Sequence, residues 1–467
     1  MKLYNTLSRK IEKFEPLEDK IVKMYTCGLT VYSQPQIGNW VAYIYSDVLS
    51  RVLMKSGYKV NRVQNITDVG HLVSDDDGGE DKMEKGAKAE GITAWNVAEK
   101  YIAIADKEGY EWLKLLKPRK LVRATDLIPE QILFAHDLEK KGFTYLIPGE
   151  GLYFDTTKLS DYGKLARLDV EGLKPGARVD IAGKKHPTDF ALWKLSPKNS
   201  KRDMEWDSPW GVGFPGWHLE CSVIARESLG DQIDIHTGGI DHIPVHHTNE
   251  IAQSESLTGK QFVKYWFHNN HMKINGSKMA KSSGNSYTLE DLKKKGINLN
   301  AFKLMVLSSH YRTEGNFTWK ILEAAQNRYK HWQAAADRAW QPSGGMPDSL
   351  TQSLSESTAK ILSLLQEDMN TPETLKEIDR VVSIIEDAEV SSKSAVSIRQ
   401  FFDFIEEVLG IEFIKEDINN NLKLLINDRS QARVNKDFQK SDTIRDELLK
   451  AGIGIRDVGT KSLWFRT

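Results

Sequence analysis

Cysteine is almost missing: the chain of 467 residues holds two, Cys27 and Cys221, far apart and in no CxxC pair. That excludes a disulfide framework and fits a reducing cytoplasm, where each thiol is free for a metal or for chemistry. No unbroken apolar run reaches the roughly 18 residues that a membrane-spanning helix needs. The opening stretch MKLYNTLSRKIEKF has no apolar core, so no secretory segment is expected. Excess charge is missing too. The formal net charge is -1, and any contact with nucleic acid must therefore come from local basic patches. An apolar share of 40% and a charged share of 28% describe an ordinary globular chain. Its length allows about two to four domains.

What is present is a nucleotide-type pattern. IVKMYT (21–26) alternates as a strand, and 38–56 carries Val41, Ile44, Tyr45, Val48, Leu49, Val52 and Leu53 at helical spacing. YKVNRVQNIT then alternates again. Strand, helix and strand predict a right-handed crossover in a parallel sheet, with ligands at the carboxyl ends of its strands. Cys27 and Thr67 fall at those ends. Residues 119–200 read as an insertion with its own small sheet, after which 201–265 resumes the first pattern. There PGWHLECSVIARESLG is a helix with Pro215 near its start, and DIHTGG is a strand running into a glycine turn. From Thr318 to Leu409 helical periodicity dominates, and 410–467 holds two helical segments and one short closing strand. The acidic stretch 73–84 lacks the spacing of a calcium loop and reads as a solvated loop. Arg429, Arg433, Lys436 and Lys440 recur at intervals of three or four, so they are expected on one helix face, either solvated or facing nucleic acid.

Two constellations carry chemistry. In HHTNE, His246 and Glu250 stand four apart and so project from one helix face. With Cys27 and Cys221 they make a set suited to zinc in kind and number. Two buried cysteines and an ordinary surface helix would show the same letters. His247 is an alternative to His246, turned about 100° away on the helix, so only one of the two is expected to pair with Glu250. The second constellation is for phosphate. A helix beginning at Gly38 offers free backbone N–H groups, and GSKMAKSSGN (276–285) places Lys278 and Lys281 in a Gly/Ser-rich loop suited to a departing pyrophosphate. GGID adds Gly238 and Gly239 for close backbone approach and Asp241 as an acceptor for ribose.

The order of these pieces resembles the cysteinyl-tRNA synthetases of class I, over nearly the whole chain. The carrying stretches include YTCGLTVY, NITDV, DFALWK, SPWGVGFPGWHLECS, DIHTGGIDHIPVHHTNEIAQS, NGSKMAKSSGN, HYRTEGNFT and DMNTPE. The family's HIGH motif falls on Gln36-Ile37-Gly38-Asn39 and its KMSKS motif on Lys278-Met279-Ala280-Lys281-Ser282. The resemblance implies an α/β Rossmann-type catalytic core with an insertion, then an α-helical bundle and a small C-terminal anticodon-binding domain. The boundaries expected are 1–118 and 201–265 for the core halves and 119–200 for the connective insertion. A stem-contact module follows at 266–317, the bundle at 318–409 and the anticodon domain at 410–467. It also implies one Zn²⁺ on Cys27, Cys221, His246 and Glu250, Mg²⁺ with ATP, and Thr67, Trp217 and His236 in a cysteine pocket. Gln36 and Asn39 join the two lysines as catalytic groups, Gly38, Gly238 and Asp241 hold ATP, and the basic residues from Arg429 to Lys440 touch tRNA. L-cysteine, ATP and tRNA-Cys are the implied partners of a cytoplasmic monomer that binds no membrane.

The departures are specific. Gln36 and Asn39 replace both HIGH histidines, Ser33 stands where the family often has Asp, and Ala280 replaces the middle Ser of KMSKS. A glutamine donates a hydrogen bond but carries no charge. Two other readings share the residues: a ligase passing cysteine to a small amine, and a non-catalytic paralogue. The basic C-terminal region argues against the first. The intact ligand set and both lysines argue against the second.

Overall fold

The computed structural model describes every residue except 70–81, 169–182, 198–200, 278–285, 343, 345–348 and 459–460. The acidic loop, Lys278 and Lys281 thus lie wholly or largely outside the described residues. The chain divides into two compact units. The first comprises Met1–Met272, the described residues 286–289 and Tyr311–Glu314.

The first unit opens with a hairpin of β1 (Lys2–Asn5) and β2 (Lys10–Lys13). Then come β3 (Ile21–Thr26), α1 (Ile37–Lys55), β4 (Lys59–Ile66), α2 (Lys82–Glu90) and α3 (Ala94–Asp106). The last runs into a π-helical turn, Lys107–Trp112. β5 (Lys120–Arg123) and α4 (Ile128–Lys140) precede an antiparallel sheet of β6 (Thr144–Ile147), β7 (Gly151–Phe154), β8 (Phe190–Leu195) and β9 (Gly213–Pro215). α5 (Trp217–Leu229), β10 (Ile233–Gly239), α6 (His246–Thr258) and β11 (Val263–Asn269) complete it.

The core sheet is parallel throughout, in the order β11-β10-β3-β4-β5. Val22, Met24, Tyr25, Val63, Ile233, Ile235 and Trp266 are buried along it, as expected for strands covered on both faces. The chain leaves β3 toward β4 on one side, while β10 pairs on the other. That reversal is a topological switch point, where a crevice opens at the strands' carboxyl ends. Cys27 stands there, its N–H bonded to the Thr237 carbonyl at 3.2 Å.

Three local expectations shift. β5 lies inside the range read as an insertion, because KLVR is too short to show periodicity. α1 starts one residue earlier than expected, at Ile37. Pro215 ends β9 instead of opening α5.

In the second unit, β12 (Met272–Ile274) pairs with β13 (Gly315–Phe317). Its helices are α7 (Leu289–Lys294), α8 (Leu299–Leu307), α9 (Trp319–Asp337), α10 (Ser349–Gln366), α11 (Thr371–Asp387) and α12 (Ser392–Leu409). Thr318, Asn370 and Ser391 cap α9, α11 and α12 with side-chain oxygens, which explains their sharp starts. The C-terminal stretch holds α13 (Asn420–Val434), α14 (Phe438–Lys450) and a hairpin of β14 (Ile453–Val458) and β15 (Lys461–Arg466). The sequence pattern predicted one strand there. The other was hidden because Arg456 and Asp457 break its apolar alternation. No helix among the described residues is long and apolar enough to cross a membrane.

Candidate metal centre and active site

Ligand atoms of Cys27, Cys221, His246 and Glu250 all lie within 4.8 Å of one another, and all four residues are buried. Each reaches this point by a different route. Cys27 follows β3, Cys221 sits in the second turn of α5, and α6 presents His246 and Glu250 one turn apart. α6 is polar in sequence yet buried nearly all round, which a surface helix would not be. His246 Nε2 lies 3.0 Å from Glu250 Oε1, but that oxygen has no hydrogen bond of acceptable geometry. That Glu250 oxygen is thus left unsatisfied where the four donor atoms converge, as an oxygen that meets an ion would be. His218 Nδ1 meets His246 Nδ1 at 2.9 Å and so leaves Nε2 directed at the cluster.

Burial opposes charge here, yet the groups hold it. It raises the Glu250 carboxyl, but His236 and His246 outweigh it and bring the carboxyl to about 2. Burial, Cys221 and Glu250 push the Cys27 thiol well up. The Cys221 thiol is drawn down against its burial by the Cys27 hydrogen bond and by His246. Cysteine binds a metal as thiolate, so loading the site would expel a proton from the Cys27 thiol, which its surroundings push up.

A second set, Cys27, His236, His247 and Glu250, also falls within 4.8 Å. His247 Nε2 is 3.4 Å from Cys27 Sγ and 3.9 Å from Glu250 Oε1. The expectation that only one histidine could approach Glu250 is therefore corrected: positions three and four apart are both neighbours on a helix. Only the His246 set unites both cysteines. Behind it runs a chain from His247 Nδ1 to His268 Nε2 at 2.7 Å and from His268 Nδ1 to Thr6 Oγ1 at 2.8 Å. Sequence reading missed His268, Thr6 and His218. The crowding of histidines between 236 and 268 was the available signal.

Of the residues expected in a cysteine pocket, His236 and Trp217 border the cluster. His236 Nε2 meets Glu250 Oε2 at 2.9 Å. The Trp217 ring lies 4.3 Å from His246, centroid to centroid. Thr67 is buried, and Asn65 Nδ2 donates to its Oγ1 at 3.0 Å. Glu220 beside Cys221 is a further buried carboxyl, pushed well above the usual range by burial.

At the phosphate turn, Gln36 is the N-cap of α1 and its N–H donates to Asn39 Oδ1 at 2.8 Å. The helix N–H groups are not all free. Ile37 N–H donates to the Tyr287 carbonyl at 2.8 Å and Asn39 N–H to the Gln36 carbonyl at 2.9 Å. The Gly38 N–H between them has no partner among the described residues. Gly238 and Gly239 are close-approach positions, but to this chain's own side chains. A Cβ on Gly238 would fall 2.6 Å from His247 Cε1, and one on Gly239 2.3 Å from Asp241 Oδ1.

The basic stripe is corrected. α13 ends at Val434, Lys436 takes φ +61°, and Lys440 belongs to α14, so the four residues share no helix face. Arg429 is 2% exposed and makes a bidentate pair with Asp457 at 2.8 and 2.9 Å. It ties α13 to the closing hairpin, while Arg433, Lys436 and Lys440 are exposed. Arg429→Ala is therefore expected to destabilise this region by about 1–3 kcal/mol, read by thermal unfolding, because Asp457 loses a charge-assisted partner. A variant as stable as the parent but weaker in RNA binding would reverse this assignment.

Comparison with known proteins agrees with the geometry. The family described as "tRNA synthetases class I (C) catalytic domain" matches residues 13–327. The curated protein named Cysteine--tRNA ligase 1 of Burkholderia lata is 42% identical over 97% of this chain and 94% of its own. Cysteine--tRNA ligase of Treponema denticola is 38% identical over 99% of both. Among solved structures, methionyl-tRNA synthetase of Mycobacterium tuberculosis with methionyl-adenylate superposes with a TM-score of 0.57. At 14% identity, over 83% of this chain and 89% of that one, it shares the fold. The family match over residues 13–327, together with relatives similar over nearly the whole chain, places this chain in the cysteine–tRNA ligase family of class I aminoacyl-tRNA synthetases.

Proposed function

We infer that the protein joins L-cysteine to tRNA-Cys in two steps. The cysteine carboxylate oxygen bonds to the α-phosphorus of ATP and pyrophosphate leaves. The 2'-hydroxyl of the terminal adenosine then attacks the acyl carbon and AMP leaves. The observation that carries this reading is the convergence of Cys27, Cys221, His246 and Glu250 in a class I core.

The donor set of two sulfurs, one imidazole and one carboxylate suits a single Zn²⁺. Bound there, zinc would favour the substrate sulfur as thiolate, which a serine hydroxyl matches poorly. The chain's own residues do the rest by positioning and charge neutralisation. Thr67, Trp217 and His236 bound the side-chain pocket, the Gly38 N–H and the Gln36 amide meet phosphate oxygens, and Asp241 receives the ribose. Lys278 and Lys281 neutralise the departing pyrophosphate, with Mg²⁺ accompanying ATP. Residues 119–200 act as the connective insertion, 266–317 meets the acceptor stem, and the bundle of 318–409 leads to the anticodon reader at 410–467. Arg433, Lys436 and Lys440 contact tRNA there. The protein works in the cytoplasm as a monomer.

Cysteine-dependent ATP–pyrophosphate exchange, followed by charging of a tRNA-Cys transcript, tests this reading. Exchange without charging would favour transfer to a small amine. Absence of both activities would overturn the reading. Restoring a histidine tests the altered turn separately. A charge-assisted hydrogen bond exceeds a neutral one by about 1 kcal/mol, so Gln36→His is expected to raise the exchange rate roughly fivefold.

A further inference from the structure

The residues around the altered HIGH turn share one partner. Glu108 is 1% exposed and lies in the π-helical turn that follows α3. Its Oε1 accepts from Gln34 Nε2 at 3.0 Å, and its Oε2 accepts from the Trp40 indole N–H at 2.9 Å. Gln34 stands two residues before Gln36, and Trp40 stands immediately after Asn39. A single buried carboxylate therefore grips both flanks of the four-residue phosphate turn.

The approach is built, not incidental. An insertion that widens a helix into a π turn re-aims its side chains, and such turns concentrate at functional sites. Gly109 completes the fit. A Cβ there would come within 3.2 Å of Trp40 Cζ3, so the absence of a side chain lets the indole lie against the turn. Trp40 is itself 3% exposed, so its N–H needs this acceptor.

We propose that Glu108 is a positioning residue for ATP: by holding Gln34 and Trp40 it fixes the turn that carries Gln36 and the Gly38 N–H. The proposal rests on the reading of this turn as the ATP-phosphate site. Its physical logic follows from the charge that is missing. A neutral amide attracts phosphate less than an imidazolium does, so its contribution depends on being held in place before ATP arrives. A clamp on both flanks removes the ordering cost that a loose turn would pay on binding.

The test compares Glu108→Gln with the triple variant Gln34→Leu/Trp40→Phe/Glu108→Leu in the full-length protein. Replacing Glu108 and these two donors together by apolar groups avoids leaving either donor unpaired. It does not recover the clamp. The readouts are melting temperature, the Kd of ATP by calorimetry, and the KM values for ATP and cysteine in pyrophosphate exchange. In both variants the Kd and KM for ATP are expected to rise about tenfold, the effect of about 1.4 kcal/mol of lost binding, with the KM for cysteine within twofold. The triple variant should melt close to the parent. Parent-like ATP affinity in Glu108→Gln, or in a triple variant of restored stability, overturns the proposal and leaves Glu108 a packing residue. ATP calorimetry is independent of which amino acid is activated. A parent without cysteine-dependent exchange therefore defeats the cysteine reading alone, while a parent that binds no ATP defeats the phosphate-site reading.

Discussion

Cys221→Ser is expected to abolish zinc binding and cysteine-dependent pyrophosphate exchange together, with exchange falling at least a thousandfold. That corresponds to about 4 kcal/mol of lost transition-state stabilisation. The size follows from the site. Cys221 is buried and is the sulfur whose thiol is drawn down by Cys27 and His246. A serine hydroxyl does not ionise there and is a poor ligand for a borderline-soft ion. The unaltered protein should prefer cysteine to serine by about four orders of magnitude, because a site built to engage one substrate group rejects the analogue that lacks it. Metal analysis and exchange kinetics on the same preparation check both statements. A zinc-free variant that still selects cysteine would sink the assignment.

The second large effect comes from backbone, not from a ligand. Gly28→Ala is expected to destabilise the protein by about 3–5 kcal/mol or to leave it insoluble, and to deplete its zinc. A Cβ on Gly28 would fall 1.6 Å from the Asn65 carbonyl oxygen, which is backbone and cannot swing away. Gly28 N–H also donates to Asn65 Oδ1 at 2.6 Å, and Asn65 in turn holds Thr67. Any relief of the clash would therefore move Cys27, the neighbouring residue, out of reach of α5 and α6. Gly57→Ala is the matched control. Gly57 takes φ +92° at the end of α1 but has nothing within 4 Å, so it should cost only about 1 kcal/mol. Equal melting temperatures for the two variants would contradict the steric account.

The core was legible because its signals were local. β3, α1 and β4 follow one another with clean period-2 and period-3.6 patterns, and three of the four ligands sit at a strand end or one turn apart on a helix, with Cys221 inside α5. Arg429 misled for the opposite reason. Spacing in the chain predicted a continuous face, while the break after Val434 and the pairing with Asp457 depend on where the hairpin packs. β5 was too short to register. The Glu108 clamp was invisible for a third reason: its donors and its acceptor come from segments separated by an entire crossover, and no periodicity links them. Such tertiary polar pairs are what one-dimensional patterns leave out.

The Ile37 amide has a use of its own. It is bonded to Tyr287, which lies shortly after the lysine segment in the chain, while Ile37 opens the phosphate helix. A displacement of Tyr287 must stretch or break that bond, and the break exposes a single amide proton. Hydrogen exchange or a nitrogen-15 shift at Ile37 would thus act as a strain gauge between two distant stretches of chain, readable without touching either one by mutation.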